Sequence, residues 1–433
     1  VSPEHGPPGT PVRVAAEGLP ADTDFQLVWR TVEGSWKVAD GKYHGREYAP
    51  AAFEVATVKT DGAGRLATAF TVPDDFGFLH DVVLQQGERL FIQAAFSVDM
   101  SMTLSPSDGP VGTPITIVVK GIGWRPLENS WMLLYDNHFT GWISAVTTAG
   151  SASFTIPATG EPGVHVLEVL HGEFTFPYRN MGQSPEGGRP RFALRFTVTP
   201  GAPVLPPPGS EQAQQSVRRL SPAGALMVTP PFAGVGEPVA VSGVGITPGE
   251  RYALGWTTVI GNRVGGHGWN EASRPVAEAV ADALGHLQFH FVVPDDLGGA
   301  HALSVENGAE KQAGSFWIKP TAFPLDVEHG PPGTPFAVHL KGVGWTETAN
   351  IYTVVYDNSY IGYVCAFNSQ GDVEIPLQAT GDPGWHFIDL YPAIYRGEEQ
   401  QPRNFMIPQL TYADDHPGED LPRFRFAFEV TEE

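Results

Sequence analysis

The sequence predicts an all-β protein built from four tandem β-sandwich domains. Three observations carry this prediction: glycine and proline are abundant, short apolar strands alternate with turns, and the chain repeats itself. Of the 433 residues, 50 are Gly and 40 are Pro, and these two residue types interrupt regular secondary structure. The apolar share is 42% and the aromatic share is 11%, which is enough to fill hydrophobic cores and too much for a disordered chain.

Four segments open with a similar turn-rich phrase and continue as a strand. Pro-Gly supplies a tight turn in these openings, and the residues after it have strand composition. The openings lie at residues 6–11, 109–114, 234–238 and 330–335. Later in each segment a strand ends at a Pro, an acidic or Gly turn follows, and a His leads the next strand. These histidines are His80, His165, His301 and His386.

The spacing of these landmarks indicates that a two-domain unit was duplicated. Pro73 and Pro294 are 221 positions apart, and so are Asp136 and Asp357. The third domain therefore duplicates the first, and the fourth duplicates the second. A Pro-rich stretch between the halves is expected to be a semi-extended linker at which they can hinge. The predicted divisions are residues 1–99, 100–200, the linker at 201–221, 222–320 and 321–433.

About 100 residues per copy, with short strands, frequent turns and no Cys pair, is typical of an immunoglobulin-like β-sandwich. Each copy has an opening Gly/Pro turn and a His-led strand, and the second and fourth carry Gly-x-Gly-Trp at 121–124 and 342–345. This order resembles bacterial immunoglobulin-like surface repeats, including the IPT/TIG type. The resemblance covers all four copies through their turn chemistry. It implies an exported surface or appendage protein, or a module beside a polymer-degrading enzyme.

Charge and hydropathy exclude several classes of partner. Lys and Arg number 26 and Asp and Glu number 48, for a net charge of −22. No dense basic cluster occurs, so we expect no nucleic-acid partner. No stretch approaches the ~20 apolar residues that a membrane-spanning helix needs, so we expect no transmembrane segment. The chain opens at Val1 without an initiator Met, and we expect an exported protein, secreted or at the cell surface.

Two local features give separate expectations. Cys365 is the single cysteine and lies in an apolar run at 363–367, so we expect it to be buried as a small apolar side chain. Residues 272–287 have helix-forming composition, but they are in register with residues 51–66, which alternate as a strand. We expect a strand there, because tertiary context commonly overrides local propensity.

The sequence contains no Gly-x-Ser-x-Gly elbow, no phosphate-binding loop and no His-Glu-x-x-His motif. The four repeated histidines occupy one matching position, which favours a structural role, and His286 and His290 lack a third zinc ligand. The Asp-Asp pairs at 74–75 and 295–296 recur at matching turns and are expected to cap them. We therefore expect a protein that is not an enzyme. A glycosidase would need carboxylates from different domains to meet in a cleft.

Binding is expected at loops that carry aromatic residues. A long insertion follows Trp29 in the first copy and Trp256 in the third, and long loops at the end of a sandwich are where binding is commonly recruited. These insertions can instead pack against the neighbouring domain. The Asp-Asn turns of the second and fourth copies either close hairpins or present an exposed aromatic platform. The candidate ligand- or partner-binding residues are Trp36, Tyr43, His44, Arg46, Phe139, His267, Trp269, Asn270 and Tyr360.

The acidic loop near the C-terminal end is a candidate Ca²⁺ site. Carboxylate oxygens are the ligands that Ca²⁺ prefers, but the spacing lacks the alternating register of a calcium loop, so a solvated acidic loop is the alternative. The candidate ligands are Asp414, Asp415, Glu419 and Asp420. No other cofactor is expected.

These observations together predict a non-catalytic structural or binding protein that acts through loops and inter-domain surfaces. Its expected partners are other proteins or further copies of itself in a larger assembly at the cell surface. The alternative is a carbohydrate-binding accessory module of a secreted hydrolase system, with a polysaccharide as partner.

Overall fold

The fold is all-β, as predicted. The computed structural model describes residues 1–173, 176–180, 182–183, 189–207, 210–212, 225–261, 269–307, 310–395 and 406–432. These residues form strands and turns, with a short 3-10 turn at Phe367–Ser369. The described part of the chain contains no helix that is long and apolar enough to cross a membrane.

The first pair of sandwiches comprises sixteen strands. The first sandwich contains β1 (His5–Gly6), β2 (Pro11–Ala16), β3 (Asp24–Ala39), β4 (Lys42–Lys59), β5 (Leu66–Thr71), β6 (Phe78–Gln86) and β7 (Arg89–Val98). The second contains β8 (Ser101–Ser105), β9 (Asp108–Gly109), β10 (Pro114–Lys120), β11 (Trp131–Tyr135), β12 (His138–Ile143), β13 (Ala152–Pro157), β14 (Gly163–Glu173), β15 (Phe176–Pro177) and β16 (Phe192–Val198).

The second pair follows the same plan. Ahead of it, β17 (Ser210–Gln212) joins the fourth sandwich. The third sandwich contains β18 (Met227–Thr229), β19 (Phe232–Ala233), β20 (Pro238–Gly243), β21 (Arg251–Gly261), β22 (Trp269–Val280), β23 (Leu287–Val292), β24 (Gly299–Asn307) and β25 (Glu310–Ile318). The fourth contains β26 (Thr321–Ala322), β27 (His329–Gly330), β28 (Pro335–Lys341), β29 (Ile351–Tyr356), β30 (Ser359–Cys365), β31 (Val373–Gln378), β32 (Gly384–Ala393) and β33 (Arg423–Val430).

All four sandwiches share one core strand order, although the smaller sheet of the first has two strands and those of the others have three. The larger sheets have the strand orders β1-β7-β6-β3-β4, β12-β11-β14-β16-β9, β19-β25-β24-β21-β22 and β17-β33-β32-β29-β30. The smaller sheets are β2-β5, β13-β10-β8, β18-β20-β23 and β26-β28-β31. In every sandwich a two-residue strand near the start pairs in parallel with the last long strand. The four domains are thus immunoglobulin-like sandwiches arranged as two duplicated pairs.

Alternation of side chains explains the individual strands. In β23, Leu287, Phe289 and Phe291 are buried, while the residues between them face solvent. This period of two places one face on the core. Each sandwich has its own buried apolar cluster. The strand predicted across residues 272–287 is confirmed by β22 as far as Val280, despite its helix-forming composition. Residues 281–286 instead form the turn that leads into β23.

The joint within each pair is duplicated together with the domains. The Gly77 N–H donates to the Ile122 C=O at 3.0 Å, and the Gly298 N–H donates to the Val343 C=O at 3.0 Å. A Cβ atom on Gly77 would lie 1.7 Å from a backbone oxygen of the next domain, so this approach requires glycine. Cross-domain ion pairs also recur, Asp74 with Lys120 and Asp295 with Lys341.

Two expectations need correction. Cys365 is exposed rather than buried, because its position in the alternating edge strand β30 faces outward. The described part of the 201–221 linker is attached to both halves. The Val204 N–H donates to the Val111 C=O at 2.9 Å, and β17 pairs antiparallel with β33.

Candidate functional site: an aromatic junction between sandwiches

The insertion of the first sandwich is a β-hairpin that extends beyond it. β3 and β4 remain paired as far as Ala39 opposite Lys42, and we call residues 31–50 the first arm. The turn at its tip is Asp40-Gly41, with φ values of 51° and 70°. Left-handed backbone at both positions is the geometry of a tight hairpin turn, which Asp-Gly favours. The predicted loop is therefore a paired ribbon with a defined direction.

The tip of the first arm lies on the fourth sandwich. The Gly41 C=O accepts a hydrogen bond from the Glu347 N–H at 2.7 Å. The Tyr43 N–H donates to the Glu347 carboxylate at 2.9 Å, across 304 positions of the chain. A Cβ atom on Gly41 would lie 3.1 Å from the Thr346 methyl group. The first domain therefore reaches the last one directly.

Trp36 lies where the first arm meets the second and fourth sandwiches. Its Nε1–H donates to Asp415 Oδ1 at 2.9 Å. Its ring meets Trp142 edge to face, with centroids 6.0 Å apart and an interplanar angle of 89°. Tyr43 is 4% exposed and Trp142 is 0% exposed. We call this group the aromatic junction; it comprises Trp36, Tyr43, Met132, Leu134, Phe139, Trp142, Leu170, Tyr360, Ile394 and Ile407.

Arg46 adds a polar contact from the other strand of the arm. Its guanidinium donates to the Asn129 C=O at 3.1 Å and lies 5.4 Å from the centroid of the Trp142 ring. His44 is half-buried on the same strand. Burial raises the pKa of the Tyr43 phenol, so the hydroxyl is neutral near pH 7. Trp36, Tyr43 and Arg46 thus pack against this chain's own domains, the alternative that the sequence left open.

Asp415 is the polar centre of the junction, and it is 1% exposed. Besides Trp36, its carboxylate accepts hydrogen bonds from the Val146 N–H at 2.8 Å, the Thr147 N–H at 2.9 Å and the Thr147 hydroxyl at 2.8 Å. Four donors occupy this carboxylate, so its oxygens are turned toward protein groups rather than toward an ion.

The four predicted Ca²⁺ ligands do not form a cluster. Asp414 is exposed, Asp415 is buried in the junction, and Glu419 and Asp420 are half-buried. Among the residues that the structure describes, no group of three or more His, Cys, Asp or Glu side chains is close enough to hold a metal ion. The acidic loop therefore contributes a buried carboxylate to an inter-domain contact.

A segment of the fourth domain covers the edge strand of the second sandwich; we call residues 406–416 the covering segment. The Trp142 N–H donates to the Pro408 C=O at 2.7 Å, and the Leu410 N–H donates to the Trp142 C=O at 2.9 Å. Gln409 and Trp142 form a parallel bridge. The covering segment thus adds one parallel bridge to the edge of another domain's sheet.

Phe139 and Tyr360 meet inside the same junction. Their rings lie 6.0 Å apart with an interplanar angle of 87°, and the Tyr360 hydroxyl donates to the Met406 C=O at 2.5 Å. Burial raises the pKa of Tyr360 to about 12. Both rings are half-buried. Of the two alternatives for the Asp-Asn turns, the structure shows the closed hairpins and not the exposed platforms, because each ring covers the other where the sandwiches meet.

The turn of the fourth sandwich inserts into the second. Asn358 is 1% exposed, and its amide donates to the Pro157 C=O at 2.9 Å and to the Thr159 hydroxyl at 3.0 Å. The Thr140 hydroxyl donates to the Asn358 C=O at 2.6 Å. Arg423 donates to the second sandwich at a further backbone carbonyl. The two halves of the chain are therefore joined by buried polar contacts.

The third sandwich has a shorter hairpin at the position of the first arm. Trp269 opens β22 opposite Gly261, and the side chain of Asn270 is exposed. His267 lies outside the described residues. The three candidates on this hairpin are therefore not brought into the aromatic junction by any described contact.

The four repeated histidines contact neighbouring groups of their own sandwich, as a structural role predicts. His80 and His301 are buried, and each stacks on a core tryptophan, with centroid distances of 4.5 Å to Trp29 and 4.3 Å to Trp256. Both ring nitrogens of each lie within 3.0 Å of backbone carbonyl oxygens. Burial lowers the pKa of His301 despite those carbonyls.

His165 and His386 differ from that pair because an aspartate replaces one carbonyl. Nδ1 of each lies 2.5 Å from Asp136 or Asp357. Burial lowers the pKa of His386, but the hydrogen bond and charge of Asp357 outweigh it, so the net shift is upward. One sequence landmark therefore has two electrostatic environments.

The Asp-Asp pairs do more than cap turns. Asp75 and Asp296 each accept a hydrogen bond from the N–H of the following residue, as capping predicts. Each also accepts from the core tryptophan indole, at 2.7 Å from Trp29 and 3.0 Å from Trp256. The first Asp of each pair forms an ion pair with a lysine of the next domain, and Asp296 also accepts a hydrogen bond from the Gln370 amide of the fourth domain at 3.1 Å.

Sequence reasoning missed three residues at this site. Trp142 is a member of the aromatic junction, and Glu347 and Gln409 contact its members Tyr43 and Trp142. A length comparison between duplicates would have pointed to the covering segment. The span from β32 to β33 is longer than the span from β14 to β16, and this extra length is what crosses to the second sandwich.

Comparison with known proteins gives likeness of architecture only. No family model and no curated protein matches the chain. Among solved structures, the ICAM-5 D1–D4 ectodomain fragment is 11% identical with a TM-score of 0.20, covering 99% of this chain and 98% of that one. Activated alpha-2-macroglobulin of Escherichia coli is 10% identical with a TM-score of 0.17 and covers 99% of this chain, which spans 43% of its length.

A third similar structure is SGBP-B of the Bacteroides ovatus mixed-linkage glucan utilization locus, in complex with a mixed-linkage heptasaccharide. It is 10% identical with a TM-score of 0.17, covering 76% of this chain and 66% of that one. Such identities and scores carry no functional argument. The immunoglobulin-like assignment rests on the strand pairing described above.

Proposed function

We propose that this protein is a non-catalytic structural or binding protein of the cell surface or extracellular space. Its two sandwich pairs are joined into one rigid body, which presents the uncovered surfaces of the second pair to partners. The observation that carries this proposal is that the aromatic residues of the junction contact other domains of the same chain. Trp36, Tyr43, Phe139 and Tyr360 bind this chain's own domains, so they stabilise a fixed arrangement of domains.

The polar contacts of the junction support rigidity as well. Asp415 and Asn358 are almost completely buried, and their partners include backbone groups of another domain. Separating these groups from their partners costs free energy, because a hydrogen bond between buried groups is stronger than the bond to water that would replace it. A hinge between the halves would have to break these contacts together.

Small-angle X-ray scattering of the full chain tests the rigid arrangement. We expect the wild-type curve to match the docked domains, and the double variant Trp36→Ala with Tyr43→Ala to give a larger radius of gyration. Phe53→Ala, an exposed aromatic on the same hairpin, is the matched control and should leave the curve unchanged. A wild-type curve that requires many domain arrangements would contradict the proposal.

A glycan array with the full chain tests the binding class. Absence of sugar binding, together with capture of a defined protein from the native surface, supports the structural role. Saturable sugar binding that is lost in Trp269→Ala would instead establish the carbohydrate-binding alternative. Hydrolysis of any arrayed polymer would contradict the non-catalytic assignment.

A further inference from the structure

Three positions are buried in the second sandwich and exposed in its duplicate. The buried residues, all in or beside β12, are Thr140, Trp142 and Ser144, each 0% exposed. The 221-residue register places Ile361, Tyr363 and Cys365 of β30 at the same positions. Ile361 is 53% exposed, Tyr363 is 46% exposed and Cys365 is exposed. An exposed edge strand with apolar side chains is a surface that proteins usually cover.

The structure itself shows what covers these positions in the second sandwich. The covering segment forms one parallel bridge with the outer edge of β12, through both backbone groups of Trp142. Beside this bridge, the Thr411 hydroxyl lies 2.8 Å from the Ser144 hydroxyl. Leu410 packs into the core of the second sandwich. The occupant is therefore a short uncharged stretch, Pro-Gln-Leu-Thr at 408–411, which pairs through a single bridge at Gln409, turns from Leu410 onward and inserts one apolar side chain.

The edge of β30 has the same backbone geometry. Tyr363 lies opposite Thr353 of β29, as Trp142 lies opposite Met132 of β11. Because the two pairs are in equivalent register, the N–H and C=O groups of Tyr363 also face away from the sheet. Within the described residues, no strand pairs with this outer edge of β30.

Two grooves between β30 and β31 provide room for side chains. One, of about 510 Å³, is lined by Val364 and Cys365, and the other, of about 480 Å³, is lined by Ser359 and Ile361. The far walls of both grooves are formed by β31. The equivalent side of the second sandwich is where the fourth sandwich docks.

We propose that the outer edge of β30 binds a short segment of a partner protein, which pairs in parallel with the backbone of Tyr363. The segment has the chemistry of residues 408–411: uncharged, with one apolar side chain between hydrogen-bonding groups. This mode is β-augmentation, in which backbone pairing gives affinity and alternate side chains give specificity. The inference rests on the proposed function, since it names the class of partner for the surface that the rigid body presents.

A second copy of this chain is a poorer occupant. Its own covering segment is bound to its own β12, where the covalent connection gives a high effective concentration. Supplying that segment to another molecule would require opening the aromatic junction. A separate partner with a free extended segment has no such cost.

Cys365 provides a site-specific assay, because it is the single cysteine and lies on the proposed surface. The probe is a synthetic peptide with the sequence of residues 406–416, and the readout is the alkylation rate of Cys365 in the full-length protein. We expect the peptide to slow alkylation saturably. Binding at β12 would leave Cys365 unprotected, so the readout distinguishes the two edges.

Two variants and a scrambled peptide complete the test. Tyr363→Pro removes the outward N–H at an edge position that tolerates proline, and we expect about tenfold weaker peptide binding. Tyr363→Phe keeps the backbone and the ring and should bind as wild type does. No protection up to about 1 mM peptide, or equal protection by the scrambled peptide, would overturn the proposal.

Sedimentation of the protein alone tests the competing occupant. Self-association that disappears in Tyr363→Pro would assign the edge to a second copy and overturn the inference. A monomer that binds the peptide supports it. Neither result affects the scattering test of the rigid body, so failure of this inference is distinguishable from failure of the proposed function.

Discussion

The Trp36 indole donates a hydrogen bond of 2.9 Å to the Asp415 carboxylate across 379 positions of the chain. This contact connects the hairpin arm of the first sandwich to the acidic loop of the fourth. Asp415 also accepts from the backbone of the second sandwich, at Val146 and Thr147. One buried carboxylate therefore joins three domains, and its removal should affect the whole chain.

Asp415→Ala should lower the free energy of unfolding by about 2–4 kcal/mol, because it leaves buried backbone N–H groups without acceptors. Asp414→Ala is the matched control, since Asp414 is exposed next to it and should change stability by less than about 0.5 kcal/mol. Urea denaturation followed by tryptophan fluorescence measures both. Equal effects of the two substitutions would remove Asp415 from its central role.

Asn358 and Asn137 occupy the same turn position in duplicated domains, with φ values of 59° and 68°. Alanine is strained at both positions, but Asn358 alone is buried in the neighbouring sandwich. We expect Asn358→Ala to be about 1–3 kcal/mol more destabilising than Asn137→Ala. Thermal and chemical denaturation of the two variants gives the comparison, and similar losses would show that the turn alone matters.

The duplicated architecture could be predicted from the sequence because turns and strands depend on the residue types at neighbouring positions. Turn residues such as Gly9 and Gly333, both at positive φ, must recur wherever the same turn recurs. Buried and exposed side chains alternate along β23, as its sequence predicts. The constant spacing of 221 positions between Pro73 and Pro294 shows that the same turn recurs in both halves. These features depend on residues close together in the chain.

The aromatic junction could not be predicted in the same way, because it depends on how the folded domains pack against one another. The sequence predicts Trp36 and Tyr360 as candidate ligand- or partner-binding residues, and in the structure both make specific contacts. Their partner is a distant part of the same chain. The sequence groups Asp415 with its acidic neighbours for the same reason: it shows the carboxylate but not the N–H groups that face it.

The exposed thiol of Cys365 gives a prediction about the edge strand. Because the side chain faces outward from β30, we expect the native protein to react stoichiometrically with a maleimide, at a rate within about tenfold of the urea-unfolded chain. Mass spectrometry of quenched time points measures this. A native protein that reacts only after unfolding would show that β30 is covered in solution.

His386 and His301 occupy one sequence position but should respond to pH with opposite sign. The pKa of His386 is raised above 6.5 because the charge and hydrogen bond of Asp357 outweigh burial. The folded state therefore binds the proton more tightly than the unfolded state. This contribution to stability is fully present below about pH 6.5 and is lost as pH rises through the folded-state pKa. His386→Gln should accordingly cost more stability at about pH 5.5 than at about pH 8.5.

His301 serves as the internal control for that experiment. Burial lowers its pKa below 6.5, although Asp296 and two carbonyl groups oppose the shift and Arg274 adds to it. The unfolded state therefore binds the proton more tightly, and the neutral ring's contribution is lost as pH falls. His301→Gln should cost more at about pH 8.5 than at about pH 5.5. The measurement is the free energy of unfolding of both variants and the wild type at the two pH values. If the loss of stability changes with pH in the same direction for both variants, Asp357 does not set the charge of His386.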